Sequence, residues 1–288
     1  GSIGALPVHC ITLSPPVRPR RALSRGGRLL DESFGLQDDA GKRRTGGSPM
    51  TTYDTTLKVR DVVAMDTMLF GFERPDGFQF KAGQAIDLVL VESEIEAARG
   101  ARHTFSLVSA PFEDGLAIAT RMRDSPFKQA LKRLPLGAKV RLDGPFGSLV
   151  QKDAKRAAVL IAGGIGITPF MSMLRQAAHD QSAQFLLLVY CNRRPEDAPF
   201  ISELTQLERA NSNFRLVATM TQPGKSHIHW NGHIGRIDEA FLREAIGHVN
   251  EPVYYLAGPP AMVGDVYQTL SDIGIADDAI HSEEFYGY

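Results

Sequence analysis

Between residues 157 and 174 an apolar run breaks into Gly163-Gly164-Ile165-Gly166-Ile167-Thr168-Pro169 and then resumes at helical spacing. A strand that enters a glycine turn and leaves as a helix presents bare backbone N–H groups where a phosphate can sit. Thr168 is placed to cap that helix and Pro169 to occupy its first position, where a missing N–H is harmless. Phe170, Met171, Met173 and Leu174 supply the buried stripe. Glycine also serves turn geometry alone, so this motif taken singly leaves phosphate binding and plain packing open. A second stretch repeats the pattern: residues 253–257 are apolar, Gly258-Pro259-Pro260 follow, and a helix begins near Ala261. Two such edges predict a parallel sheet whose strand carboxyl ends form a nucleotide-binding crevice.

Ahead of that region the rhythm differs. Residues 56–63, 67–73, 85–91, 104–108, 116–122 and 139–143 are short runs rich in β-formers, divided by Gly, Pro or Asp. Six short strands predict an antiparallel barrel. The one helical interruption is Ser125-Pro126-Phe127-Lys128-Gln129-Ala130-Leu131, again a cap followed by proline, so a second anion-ready helix terminus falls in the β region. After Gly147 strands at 157–162, 185–190, 214–220 and 253–257 alternate with helices near 170–178, 199–210, 238–246 and 261–273. That alternation predicts a doubly wound parallel α/β sheet. The chain therefore divides into a tail at 1–49, a β-barrel domain at 50–150 and an α/β domain at 151–288.

Residues 1–49 are rich in Gly, Ser, Pro and Arg and lack sustained periodicity, which predicts a disordered tail or a non-native extension, with Met50 as an alternative start. An arginine- and serine-rich opening also resembles an organelle transit peptide. The net charge of −1 hides a division, because this tail carries eight basic against four acidic side chains and the rest 24 against 29. An acidic folded part is a poor match for nucleic acid. No apolar run reaches the roughly 18 residues of a membrane-spanning helix. The two cysteines, Cys10 and Cys191, cannot furnish the thiolates of an ordinary iron–sulfur cluster and form no disulfide framework, which points to a reducing, cytoplasmic setting. No metal site is predicted.

Taken together, these motifs resemble the ferredoxin-NADP reductase superfamily over about residues 53–288, since four motifs occur in the family's order and spacing. The resemblance implies a six-stranded antiparallel Greek-key flavin barrel followed by a nicotinamide-nucleotide domain. The flavin motif is represented by His103-Thr104-Phe105-Ser106. Aligning Phe105 and Ser106 puts His103 where the family keeps an arginine for the flavin pyrophosphate. Arg102 lies one residue earlier and would face the other way on a regular strand, so either His103 makes that contact or a bulge brings Arg102 inward. By the resemblance Phe105 packs on the flavin and Ser106 lies near flavin N5 as a catalytic residue. Arg121, Met122, Ser125 and Lys128 match the second flavin segment, where room for a diphosphate favours FAD over FMN.

In the α/β part, Gly163, Gly164, Gly166, Thr168 and Pro169 match the pyridine-nucleotide pyrophosphate loop. Ala257-Gly258-Pro259-Pro260 matches the nicotinamide-side motif, with Ala257 in place of the usual cysteine. In the terminal Glu283-Glu284-Phe285-Tyr286-Gly287-Tyr288, Glu283 is the implied acid near the nicotinamide and Phe285 the implied flavin cover, with Tyr288 as the alternative cover. Members that use NADP carry Ser-Arg and Arg-x-Tyr elements where this chain has Thr221-Gln222 and His233-Ile234-Gly235, which favours NADH, although Arg193, Arg194, Lys225 and Arg236 stand nearby. The implied activity is hydride transfer between NAD(P)H and FAD, with electrons passed to a separate acceptor such as ferredoxin, flavodoxin or an oxygenase component. Reduction of free flavin or small acceptors, and a non-catalytic redox-sensing module, remain as alternatives.

Overall fold

The computed structural model describes residues 51–91, 102–247 and 249–286. The expectations for 1–49 and for Tyr288 lie outside them.

The antiparallel part consists of β1 (Thr52–Ala64), β2 (Thr67–Glu73), β3 (Ala85–Leu90), β4 (Arg102–Ser106), β5 (Gly115–Arg121), α1 (Pro126–Arg133) and β6 (Lys139–Phe146). Its strand order is β4-β3-β6-β1-β2-β5. Leu107, just past β4, bridges Ile118 of β5, and the Val108 amide donates to the Ala117 carbonyl at 2.8 Å, so the two outer strands meet and the sheet closes. Closure removes the unpaired edges that an open sheet would leave. Inward positions such as Phe70, Ile86, Leu88, Leu107 and Leu142 fill the interior, and Phe127 and Leu131 of α1 join them.

The second part follows a strand-helix rhythm: β7 (Ala158–Gly163), α2 (Thr168–His179), β8 (Leu186–Asn192), α3 (Ile201–Ala210), β9 (Phe214–Met220), β10 (His233–Ile234), α4 (Glu239–Ile246), β11 (Val253–Gly258), α5 (Pro260–Asp272) and β12 (Ile280–Glu284). The order is β10-β9-β8-β7-β11-β12, with every pairing parallel. Alternate residues of β7 serve opposite faces: Leu160 and Ala162 pack with Phe170 and Leu174 of α2, while Val159 and Ile161 pack with Leu242 of α4 and Val266 of α5. A sheet covered on both sides needs unbroken apolar strands, which is why these runs were legible. Two flanking strands depart from the four predicted. β10 has only two residues, and β12 reads His281-Ser282-Glu283-Glu284 because, at the sheet edge, its faces are only partly covered and alternate residues meet solvent.

The parts meet along α2. The Ser172 hydroxyl donates to the Ser109 carbonyl at 2.7 Å, Arg175 faces Glu113 at 3.4 Å, and the Phe112 and His179 rings stack with centroids 3.9 Å apart. Among the described residues no helix is long and apolar enough to cross a membrane.

Candidate active site

In the barrel, β4 runs against β3 in unbroken register, Leu88 opposite His103 and Val89 opposite Arg102, so strict alternation holds. His103 and Phe105 share the side facing α1, with the His103 ring 4.6 Å from Phe127 and 6.1 Å from Phe105. Arg102 and Thr104 take the other side. Arg102 donates to Asp87 at 2.9 Å and to Asp143, and Thr104 donates to Asp87 at 2.5 Å. No bulge turns Arg102 inward, and of the two candidates His103 is the one beside the helix terminus.

That terminus is built as its sequence predicts. Ser125 has extended backbone, its hydroxyl accepts from the Lys128 amide at 3.3 Å, and Pro126 opens the helix. Lys128 is only 9% exposed, yet no carboxylate of the described residues lies within ion-pair distance of it. Burial, and then the charge of Arg123, holds the Lys128 ammonium below its ordinary range. Burial, and then Lys128 itself, lowers the His103 imidazole and favours its neutral form, which keeps one N–H donor and one acceptor nitrogen. A dry cation lacking a counter-ion beside a capped helix N-terminus is a donor set that fits a diphosphate. Ser106 is buried at the end of β4, and Met122 packs at the edge of the barrel core.

Across from the barrel, the exits of β7 and β11 touch backbone to backbone. A Cβ on Gly166 would lie 2.2 Å from the Ala257 carbonyl oxygen, and one on Gly258, at φ +154°, would lie 3.1 Å from the Gly163 backbone. Gly164 differs, since it adopts φ +54° and nothing occupies the space a side chain would enter. Close packing therefore accounts for Gly166 and Gly258, whereas Gly164 takes a left-handed conformation beside open space. Thr168 corrects the capping expectation: the 3-10 turn Gly164–Ile167 runs straight into α2, and the Thr168 hydroxyl donates back to the Ile165 carbonyl at 3.0 Å. Pro169 stands in the first turn as expected, and Pro259 precedes α5, which begins at Pro260.

β12 carries the terminal residues onto this same edge. Ala257 pairs with Glu283 and Gly258 with Glu284, and the Phe285 amide donates to the Gly258 carbonyl at 2.9 Å. Burial pushes the Glu283 carboxyl up to about 7. Phe285 packs against the cluster that contains both Ala162 and, from the barrel side, Val108 and Ala119. Cys191, the penultimate residue of β8, pairs with Gly163, and burial pushes its thiol up to about 12, so it behaves as an inert packing residue.

Two predicted cofactor contacts are engaged elsewhere. Arg121 and Arg194 both bind the carboxylate of Asp197, while Arg193 is exposed. Sequence reasoning missed Asp197, and it missed Tyr190 and Asn192 of β8. The Tyr190 hydroxyl lies 3.2 Å from the Gly164 carbonyl oxygen, and Asn192 buries a side-chain nitrogen that has no hydrogen-bond partner among the described residues. Nothing local marks these positions, because a buried acid in Arg193-Arg194-Pro195-Glu196-Asp197 reads as one more surface charge.

Comparison with known proteins decides the family. The model for the oxidoreductase NAD-binding domain matches residues 160–268. Ferredoxin--NADP reductase B of Sorangium cellulosum (strain So ce56) is 31% identical over 228 residues, covering 74% of this chain and 89% of that protein. The chain belongs to the ferredoxin-NADP reductase family. Terephthalate 1,2-dioxygenase reductase component 1 of a Comamonas species is 26% identical over 261 residues, 90% of this chain and 73% of that one. A ferredoxin NADP+ reductase from Neisseria gonorrhoeae, solved with bound FAD and NADP, superimposes with a TM-score of 0.68 at 23% identity, over 82% of this chain and 99% of that one. The chain is accordingly an NAD(P)H-dependent flavoprotein oxidoreductase whose cofactors are FAD and a nicotinamide nucleotide.

Proposed function

We propose that residues 50–150 hold FAD, that residues 151–288 hold the nicotinamide nucleotide, and that the protein passes hydride-derived electrons to a separate ferredoxin, flavodoxin or oxygenase component. The observation that carries the reading is Lys128, buried at the capped start of α1 with no carboxylate of the described residues within ion-pair distance, and close enough to His103 to lower its imidazole. On this reading His103, Lys128 and the α1 backbone amides bind the diphosphate, and Phe105 packs on the flavin. Bound FAD supplies hydride acceptance at N5 and the ability to release electrons singly or in pairs. The Ser106 hydroxyl hydrogen-bonds N5, Glu283 holds a proton at the nicotinamide side, and Phe285 excludes water until the nucleotide displaces it.

The open turn at Gly164 takes the nucleotide pyrophosphate. Thr221 is buried and its amide donates to the Asn192 carbonyl at 3.2 Å, while Gln222 brings no charge, which favours NADH over a nucleotide with an extra phosphate. A separate protein as acceptor is supported by the Comamonas relative, which is the reductase component of a dioxygenase.

The test is direct. Purified protein incubated with FAD should retain a yellow chromophore, and anaerobic NADH should bleach it faster than NADPH. Protein that stays colourless with excess FAD, or that keeps its colour with both nucleotides, refutes the reading.

A further inference from the structure

We propose that Asp197 is a positioning residue for hydride transfer, the buried anion through which the strand entering the flavin segment is held against the strand leaving the nucleotide crevice. The inference rests on the function proposed above. Asp197 ends the short turn Pro195–Asp197 after β8, and its side chain is 1% exposed. Two guanidinium groups from different parts of the molecule converge on it. Arg121, the last residue of β5, donates through Nη2 to Oδ1 at 2.9 Å. Arg194 donates through Nε to Oδ2 at 2.9 Å and through Nη2 to Oδ1 at 2.8 Å.

The neighbouring contacts grip the same corner of the barrel. The Met65 amide, between β1 and β2, donates to the Glu196 carbonyl at 2.7 Å. Thr67 pairs with Arg121 in the β2–β5 ladder, and the Met122 amide donates to the Asp66 carbonyl at 2.6 Å. This corner leads directly to the Ser125 cap. On the other side, the segment continues to Pro199, whose carbonyl oxygen lies 3.1 Å from the Tyr190 hydroxyl, which in turn lies 3.2 Å from the Gly164 carbonyl. Direct contacts thus run from Arg121 through residues 197–199 and Tyr190 to the nucleotide turn.

A buried carboxylate between two cations adds little net stability, since desolvation offsets most of the attraction, but it holds one geometry sharply. Hydride transfer is sensitive to geometry: reacting atoms must approach to about 3–3.5 Å, and a displacement of about 1 Å can cost roughly 100-fold in rate. Arg121 commits one terminal nitrogen to this clasp, and on this proposal its contribution to the reaction is alignment.

The experiment compares full-length wild type with Asp197→Asn, Arg121→Gln and the double variant. It measures the limiting rate of anaerobic flavin reduction by NADH, dissociation constants for FAD and NADH, and amide hydrogen exchange in 119–123 and 195–200. Each single variant should lower the limiting rate about 10- to 100-fold and move either dissociation constant less than about threefold, and the double variant should be no slower than the singles. Exchange in both segments should accelerate. Unchanged limiting rates, with only thermal stability lost, would reduce Asp197 to a structural part and overturn the proposal. Loss of FAD affinity in Arg121→Gln but not in Asp197→Asn would make Arg121 a flavin ligand and overturn it too. Should Asp197→Asn fail to fold, Arg121→Gln alone decides by the same criteria. Wild type that is never reduced by nicotinamide refutes the underlying function, whereas reactive wild type with reactive variants refutes this inference alone.

Discussion

Glu283 stands directly opposite Ala257 in the parallel register of β12 and β11, half-buried at the crevice edge, with its carboxyl pushed up to about 7 by desolvation. Burial raises the folded-state value above the ordinary carboxylate range, so the folded protein holds this proton more tightly than the unfolded chain does. The penalty is absent below the unfolded value, grows as pH rises, and is complete above about 7. Thermal melts of wild type and Glu283→Gln should therefore coincide near pH 4.5 and diverge by several degrees at pH 8, with the glutamine variant the more stable. Melts that stay parallel across this range would show that Glu283 titrates normally.

Lys128 is a buried cation with no carboxylate of the described residues within ion-pair distance. Lys128→Met should weaken FAD binding roughly 10- to 100-fold, the worth of a charge-assisted hydrogen bond, while raising the melting temperature of the flavin-free protein. Fluorescence titration with FAD and scanning calorimetry without it measure the two arms, and unchanged FAD affinity would remove Lys128 from the site.

The two glycines of the first turn should respond differently to a methyl group. Gly166→Ala drives a Cβ to 2.2 Å from the Ala257 carbonyl oxygen, a backbone clash expected to cost more than about 3 kcal/mol. Gly164→Ala meets no atom and carries only the left-handed backbone penalty of about 1–2 kcal/mol. Urea denaturation separates the two, and equal losses would mean the exits of β7 and β11 relax freely.

Nucleotide choice is expected to depend on the end of β9. Replacing Thr221-Gln222 by Ser-Arg places a guanidinium where an extra phosphate would lie, and should move the ratio of kcat/KM for NADPH over NADH upward by about tenfold. No movement in that ratio would place the adenosine ribose elsewhere.

The sequence by itself determined most of the elements and their order, the short β10 and the polar edge strand β12 excepted. Glycine turns after apolar runs, a Ser-Pro helix start and the change from short β runs to strand-helix alternation are local requirements of backbone geometry and burial, so they are written into adjacent residues. Tertiary structure decided which side chains remain for chemistry. Strand alternation on β4 makes Arg102 a partner of Asp87 and Asp143 and leaves His103 at the helix terminus. The clasp on Asp197 occupies Arg121 and Arg194, and pairing of β12 with β11 brings Glu283 to the crevice. Apart from the local Arg194–Asp197 pair, those outcomes depend on partners 15 or more positions away, such as Asp87 for Arg102. A charge's role follows from whether its counter-ion lies within a few ångströms, and linear order does not encode that distance.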